Sequence, residues 1–168
     1  MSAHHTPQDP TQQNSRKDRM FEAHQQDPYL NREKWREPCH CPDCGIIYHE
    51  GRWQQGVTAQ DSTPHRCPAC ARIYDKVPAG FLSLSGKFFL DHKEEIMHLI
   101  INKEQKEKTE HPLERIMAID ETSQGVTIHY TGIHLTQGTG NALHHAYQGH
   151  LDIDHNERDG QIRVKWQR

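Results

Sequence analysis

The sequence predicts an α+β fold: a zinc ribbon, a long helix, and a small C-terminal β-β-α-β-β unit. Three patterns carry that prediction. Two cysteine pairs, Cys41/Cys44 and Cys67/Cys70, stand at metal-knuckle spacing. Apolar Phe88, Phe89, Ile96, Leu99 and Ile100 recur at roughly helical intervals. Downstream, short runs such as Val126-Thr-Ile-His-Tyr130 and Ile162-Arg-Val-Lys-Trp166 alternate with period two, as half-buried strands do.

The composition explains why a metal is needed. Only 33% of the 168 residues are apolar and 7% aromatic, so one large core is not expected. Small units of this kind fold with a staple such as a bound ion. Lys and Arg number 20 against 23 Asp and Glu, a formal net charge of -3. No segment is strongly basic, which argues against non-specific binding to nucleic acid. Fifteen histidines make the charge sensitive to mild acid. Neither a secretory leader nor an apolar run long enough for a membrane span is present. A cytoplasmic protein is therefore expected, and five cysteines in a reducing compartment read as metal ligands plus a spare.

Taken in order, residues 1–17 are polar and Pro-punctuated and are expected to be disordered. Residues 18–37 carry a short helical pattern around Arg19–His24 that Pro28 should end, with another turn or two after Asn31 stopped by Pro38. Residues 38–80 hold the ribbon. Residues 81–112 are read as the long helix, with Ser85 as N-cap and His111-Pro112 as the stop. Residues 113–168 then run strand, strand, helix, strand, strand, predicting a small antiparallel sheet crossed by a helix over about His134–Gln148. That helix offers Leu135, Ala142, Leu143, Ala146 and Tyr147 as its apolar stripe and ends at Gly149.

The chemistry lies in the cysteines. In Cys41-Pro-Asp-Cys44-Gly45 and Cys67-Pro-Ala-Cys70, a two-residue spacer lets both sulfurs of each pair reach one ion. Gly45 tolerates the positive φ with which the chain leaves the first knuckle. Four thiolates make a closed tetrahedral set for structural Zn, with no position left for substrate; an iron–sulfur cluster is the other tetrathiolate option. Cys39, His40, His49 and His65 lie close enough in sequence to compete as ligands, though four well-placed cysteines make them bystanders. No catalytic residue is expected. Gly138-Thr-Gly140 lacks the lysine and hydroxyl residue of a phosphate loop, and His144, His145, His150 and His155 lack clean metal spacing. For contacts with RNA or another partner, Arg52, Trp53 and Arg66 around the ribbon are the candidates. Trp53 and Trp166 could stack on bases or complete small cores.

A set of short motifs resembles an uncharacterised family of small bacterial zinc-ribbon proteins. They are the two knuckles, Pro78-Ala-Gly80, Leu84-Ser-Gly86, His111-Pro-Leu-Glu-Arg-Ile-Met117 and Ala142-Leu-His-His-Ala-Tyr-Gln-Gly149, and the likeness runs from about Arg19 to Arg168. It implies the Zn ribbon and no defined activity; some members bear an ATPase label, for which no phosphate loop exists here. More distantly, the knuckles are similar to those of the adaptor that exports the large ribosomal subunit, although that family's additional cysteine pairs are missing. The likeness implies a zinc-binding adaptor contacting RNA or a ribonucleoprotein such as the ribosome. The near-neutral charge suits a protein–protein regulatory adaptor without RNA contact, and the dithiols leave a zinc-thiolate redox sensor as a further alternative.

Overall fold

The computed structural model describes residues 27–29, 35–56, 58–156 and 158–168. The expected disordered tail over 1–17 and the helical pattern around Arg19–His24 lie outside the described residues.

The ribbon is a four-stranded sheet of very short strands. They are β1 (Cys39–His40), β2 (Ile47–His49), β3 (Arg52–Gln54) and β4 (Thr63–Pro64), in the order β3-β2-β1-β4. Antiparallel pairing joins β1 to β2 and β2 to β3, while β4 runs parallel to β1. Strands of two or three residues bury little, and what they enclose is mostly sulfur: Cys39, Cys41, Cys67 and Cys70 with Ile46, Trp53 and Ala69. Helix α1 (Pro68–Asp75) follows the second knuckle.

The next segment departs from expectation. Residues 81–85 are not the start of the long helix. They belong to strand β5 (Gly80–Ser85), and Ser85 is its last residue rather than a helix cap. The burial alternates strictly, with Gly80, Leu82 and Leu84 inside and Phe81, Ser83 and Ser85 half-exposed, which is the period of a strand. A short helix α2 (Lys87–Asp91) takes up Phe88 and Phe89, and the long helix α3 begins only at Lys93, running to Glu110. The sequence pattern merged three elements because the apolar residues of the strand sit next to those of the helices.

Strands β6 (Ile116–Thr122), β7 (Gly125–Tyr130), β8 (His150–Asn156) and β9 (Gln161–Gln167) complete a five-stranded sheet with helix α4 (Ile133–Tyr147) between β7 and β8. The order is β6-β7-β5-β9-β8. The expected antiparallel sheet is thus a mixed one: β5 sits at its centre, antiparallel to β7 and parallel to β9. The β-β-α-β-β succession is present over 116–167, but it closes around a strand contributed from before the long helix.

One face of this sheet packs under α3 and α4. Leu82, Leu84, Val126, Ile128, Tyr130, Ile162, Val164 and Trp166 meet Ile96 and Ile100 of α3 and Ile133, Leu135 and Leu143 of α4. Trp166 completes this core and is fully buried, its indole N–H donating to the Gln148 carbonyl at 2.8 Å. The buried stripe of α4 differs from the predicted one. Ala146 is exposed, and Thr136, Thr139 and Gly140 are inside. Both threonine hydroxyls donate to the preceding turn, Thr136 to Gly132 O and Thr139 to Leu135 O, each at 2.7 Å, so their burial leaves no orphaned group.

The helix lies close to the sheet because glycines face it. A Cβ on Gly80 would stand 2.0 Å from Thr136 Oγ1 and 2.7 Å from its Cβ. Gly80→Ala should therefore destabilise the protein by about 2 kcal/mol, in the range of core overpacking. Urea unfolding is the check, with the midpoint moving down at unchanged slope.

Candidate metal centre

The four sulfurs of Cys41, Cys44, Cys67 and Cys70 all lie within 4.8 Å of one another. A tetrahedral zinc with Zn–S of about 2.3 Å places its sulfurs about 3.8 Å apart, and Cys44 and Cys67 stand at 3.8 Å. The donor set therefore fits a single tetrahedral thiophilic ion.

Local structure explains the convergence. In the first knuckle, Gly45 N–H donates to Cys41 O at 2.8 Å and Cys41 N–H to Ile46 O at 2.9 Å, turning the chain sharply back. Gly45 takes φ +75° there, as its position predicted. In the second, Cys67 is the N-cap of α1, with extended backbone and Pro68 just inside the helix. Its sulfur accepts from Cys70 N–H at 3.4 Å, while Cys67 N–H donates to Cys41 Sγ at 3.3 Å. Sulfurs at the start of a helix sit where peptide dipoles favour negative charge.

Among the described residues, neither Cys39 nor His40, His49 or His65 belongs to the cluster. Cys39 is a buried free thiol, raised by burial and then by the Glu37 carboxylate. His40 Nδ1 is 2.9 Å from Ser62 Oγ, His49 turns toward Glu37 at 3.8 Å, and His65 packs on Trp35. The histidines of α4 and β8 gather no metal-binding group among the described residues.

The residue that sequence reasoning missed is Arg115. It is 7% exposed, and its guanidinium reaches three of the four sulfurs. Nη2 donates to Cys44 Sγ at 3.3 Å and to Cys67 Sγ at 3.8 Å, and Nη1 to Cys70 Sγ at 3.5 Å. Its Nε donates to Pro112 O at 2.6 Å, and its backbone N–H to Thr131 Oγ1 at 2.8 Å. Arg115 therefore stands at the foot of the large sheet and holds the ribbon's sulfurs with its side chain. Zinc with four thiolates carries a net charge of about −2, and one buried guanidinium offsets half of it. The sequence signal was a lone cation between Leu113 and Ile116, inside a motif read only for its likeness to other proteins.

The same cation sets the four thiols apart from one another. Burial raises Cys44, but the Ile46 backbone amide and Arg115 outweigh it and bring the thiol down to about 7. Burial pushes Cys70 up to about 11 and Cys67 well above the ordinary thiol range. Cys44 is also the exposed member of the set. Iodoacetamide added to the zinc-loaded protein should label Cys44 first, since it is the exposed sulfur and the thiolate is the nucleophile. Peptide mass mapping reads the order of labelling.

The expected contact residues scatter. Trp53 is 7% exposed and packs against Trp35 and Tyr48 at centroid distances of 5.2 and 5.4 Å, so it completes the ribbon core rather than offering a face. Arg66 is paired with Asp43 at 2.5 Å and lies over the Tyr74 ring. Arg52 is exposed on β3. No helix among the described residues is long and apolar enough to cross a membrane. Set against known proteins, the chain matches no family model, and no curated protein or solved structure is significantly similar to it.

Proposed function

We propose that this chain is a non-catalytic zinc-binding adaptor that contacts a protein partner. The observation that carries the reading is the closed set of four sulfurs with Arg115 laid across it. Four thiolates fill the coordination of a tetrahedral ion, and such sites build structure rather than activate water. Zinc's work is then to shape a platform and fix it to the sheet.

Helix α1 is the part of that platform best suited to a protein. Ile73, Tyr74 and Val77 are 41%, 72% and 37% exposed beside the second knuckle, where the ion would set the helix's position. Arg66, paired with Asp43, lies over the Tyr74 ring, and the exposed Asp75 and Lys76, of opposite charge, stand between Tyr74 and Val77. The net charge of -3 suits this better than a nucleic-acid partner.

The RNA reading, implied by the ribosome-export likeness, draws support from a different surface. The sheet face opposite the helices carries Phe81 between His129, with centroids 5.1 Å apart, and Arg163, 5.3 Å from the ring. Aromatic and cationic groups on an open sheet can stack on unpaired bases. Against it, Lys165 and Arg163 lie directly across from Asp152 and Asp154 of β8, which cancels much of their field.

A pull-down from cells with crosslinking, comparing wild type, Tyr74→Ala and Phe81→Ala, decides between them. The adaptor reading expects protein partners lost in Tyr74→Ala and kept in Phe81→Ala. Recovery of RNA, lost in Phe81→Ala and falling steeply with salt, would establish the second reading instead.

A further inference from the structure

A cleft of about 850 Å³ opens between the ribbon and the end of α3, in the size range of small-ligand sites. We propose that it binds a primary alkylammonium group, presented by a free polyamine or by a lysine side chain. The lysine source rests on the adaptor reading; the free amine does not.

Its walls are chemically opposed. The ribbon supplies the half-buried rings of Trp35 and Tyr48, which pack edge to face at a centroid distance of 4.9 Å, with Trp53 buried behind them. The other side carries the carboxylates of Glu107, Glu110 and Glu114. Glu107 and Glu110 fall in the last turn of α3, where the carbonyl end of the helix already bears negative charge. Placing acids there costs stability that a bound cation would return. Burial likewise raises the Glu114 carboxyl, a sign that its charge is held at a cost.

Competing cations on the walls are mostly committed. Arg72 is ion-paired with Asp27 inside the cleft, and Lys108, the base of the last turn of α3, is not among the lining residues. His111 stands 3.8 Å from Glu107 and is taken up by that carboxylate. Arg52 remains, exposed at the edge on β3. With Asp27 and Arg72 cancelling, the carboxylates of Glu107, Glu110 and Glu114 face the Arg52 guanidinium and the imidazoles of His111 and His134.

An anionic ligand does not fit the same space. The amino end of α4 borders the cleft, but Glu114 already accepts from Leu135 N–H at 3.0 Å. A Cβ on Gly132 would lie 2.0 Å from the same carboxylate, so Glu114 is seated directly against the helix start. That anion position is filled from within the chain. An ammonium on an alkyl stem suits what is left: the stem lies on the rings, with cation–π attraction, and the charge reaches the carboxylates.

The test is calorimetric titration of the zinc-loaded full chain with spermidine, with Nα-acetyl-lysine methylamide, and with glutarate as the anionic control. Saturable binding of either amine and none of glutarate is expected. The Glu107→Gln/Glu110→Gln double variant keeps side-chain size at one half-buried and one exposed helix position and should fold normally while binding about tenfold more weakly. Spermidine alone binding identifies a free polyamine, and the lysine analogue alone identifies a side chain. Absence of saturable binding by both amines, equal affinity in the double variant, or equal binding of glutarate would overturn the proposal. These titrations use no cellular partner, so they succeed or fail apart from the pull-down.

Discussion

Replacing Cys67 with serine should release the metal and unfold the ribbon. Cys67 is fully buried, caps α1 with its sulfur, and lies 3.8 Å from Cys44. Structural zinc in small units contributes about 10–16 kcal/mol in total, so one thiolate of four accounts for about 3 kcal/mol. Zinc affinity should fall about a hundredfold or more, read by competition with a chromogenic chelator. The larger consequence is structural. Strands of two or three residues cannot hold a fold without the ion they enclose, and amide hydrogens over residues 39–54 should exchange freely in the variant. The five-stranded sheet has its own apolar core and should keep its protection. Retention of one zinc per chain by Cys67→Ser, with a protected ribbon, would remove the basis for the metal centre.

Arg115→Met is expected to cost about 3 kcal/mol or more, although it removes no metal ligand. The variant leaves three sulfurs without their shared donor and the Pro112 carbonyl without its partner. Breaking a buried charge interaction from one side costs about 3–5 kcal/mol. Arg115→Lys keeps the charge but cannot span several sulfurs with a planar fork, so it should recover only a minor part. The distinguishing readout is where stability is lost. A donor that merely filled space would leave zinc affinity unchanged. One that balances the thiolate charge lowers it in both variants, more in Met than in Lys. Because Arg115 N–H is anchored on Thr131, just before α4, protection should also fall at residues 131–135.

The cysteine site was legible because its chemistry is local. A two-residue spacer, a following glycine and a proline after each first cysteine fix a knuckle without help from the rest of the chain. The two strand pairs and α4 were legible for the same reason, since each alternates or repeats within its own span. Strand β5 was not. Its Phe81-Leu-Ser-Leu-Ser85 run is short, and what makes it a strand is pairing with β7 and β9, forty or more positions downstream. Trp53 and Arg66 illustrate a related limit. Residue type suggested contact with a partner, and only the fold reveals that Trp35, Tyr48 and Asp43 had claimed them first. Arg115 was hidden because its targets lie 45, 48 and 71 positions away.

The place of β5 governs how the molecule can be made and divided. A fragment cut after the long helix would carry β7 and β9 with nothing between them, two bare edges where the intact sheet has a spine. During synthesis, Leu82 and Leu84 emerge early yet have no parallel neighbour until residues 161–167 clear the ribosome. For that interval the centre of the sheet waits unfinished beside a ribbon whose four sulfurs are all already synthesised, so the metal half has its full complement of ligands before the sheet has its strands.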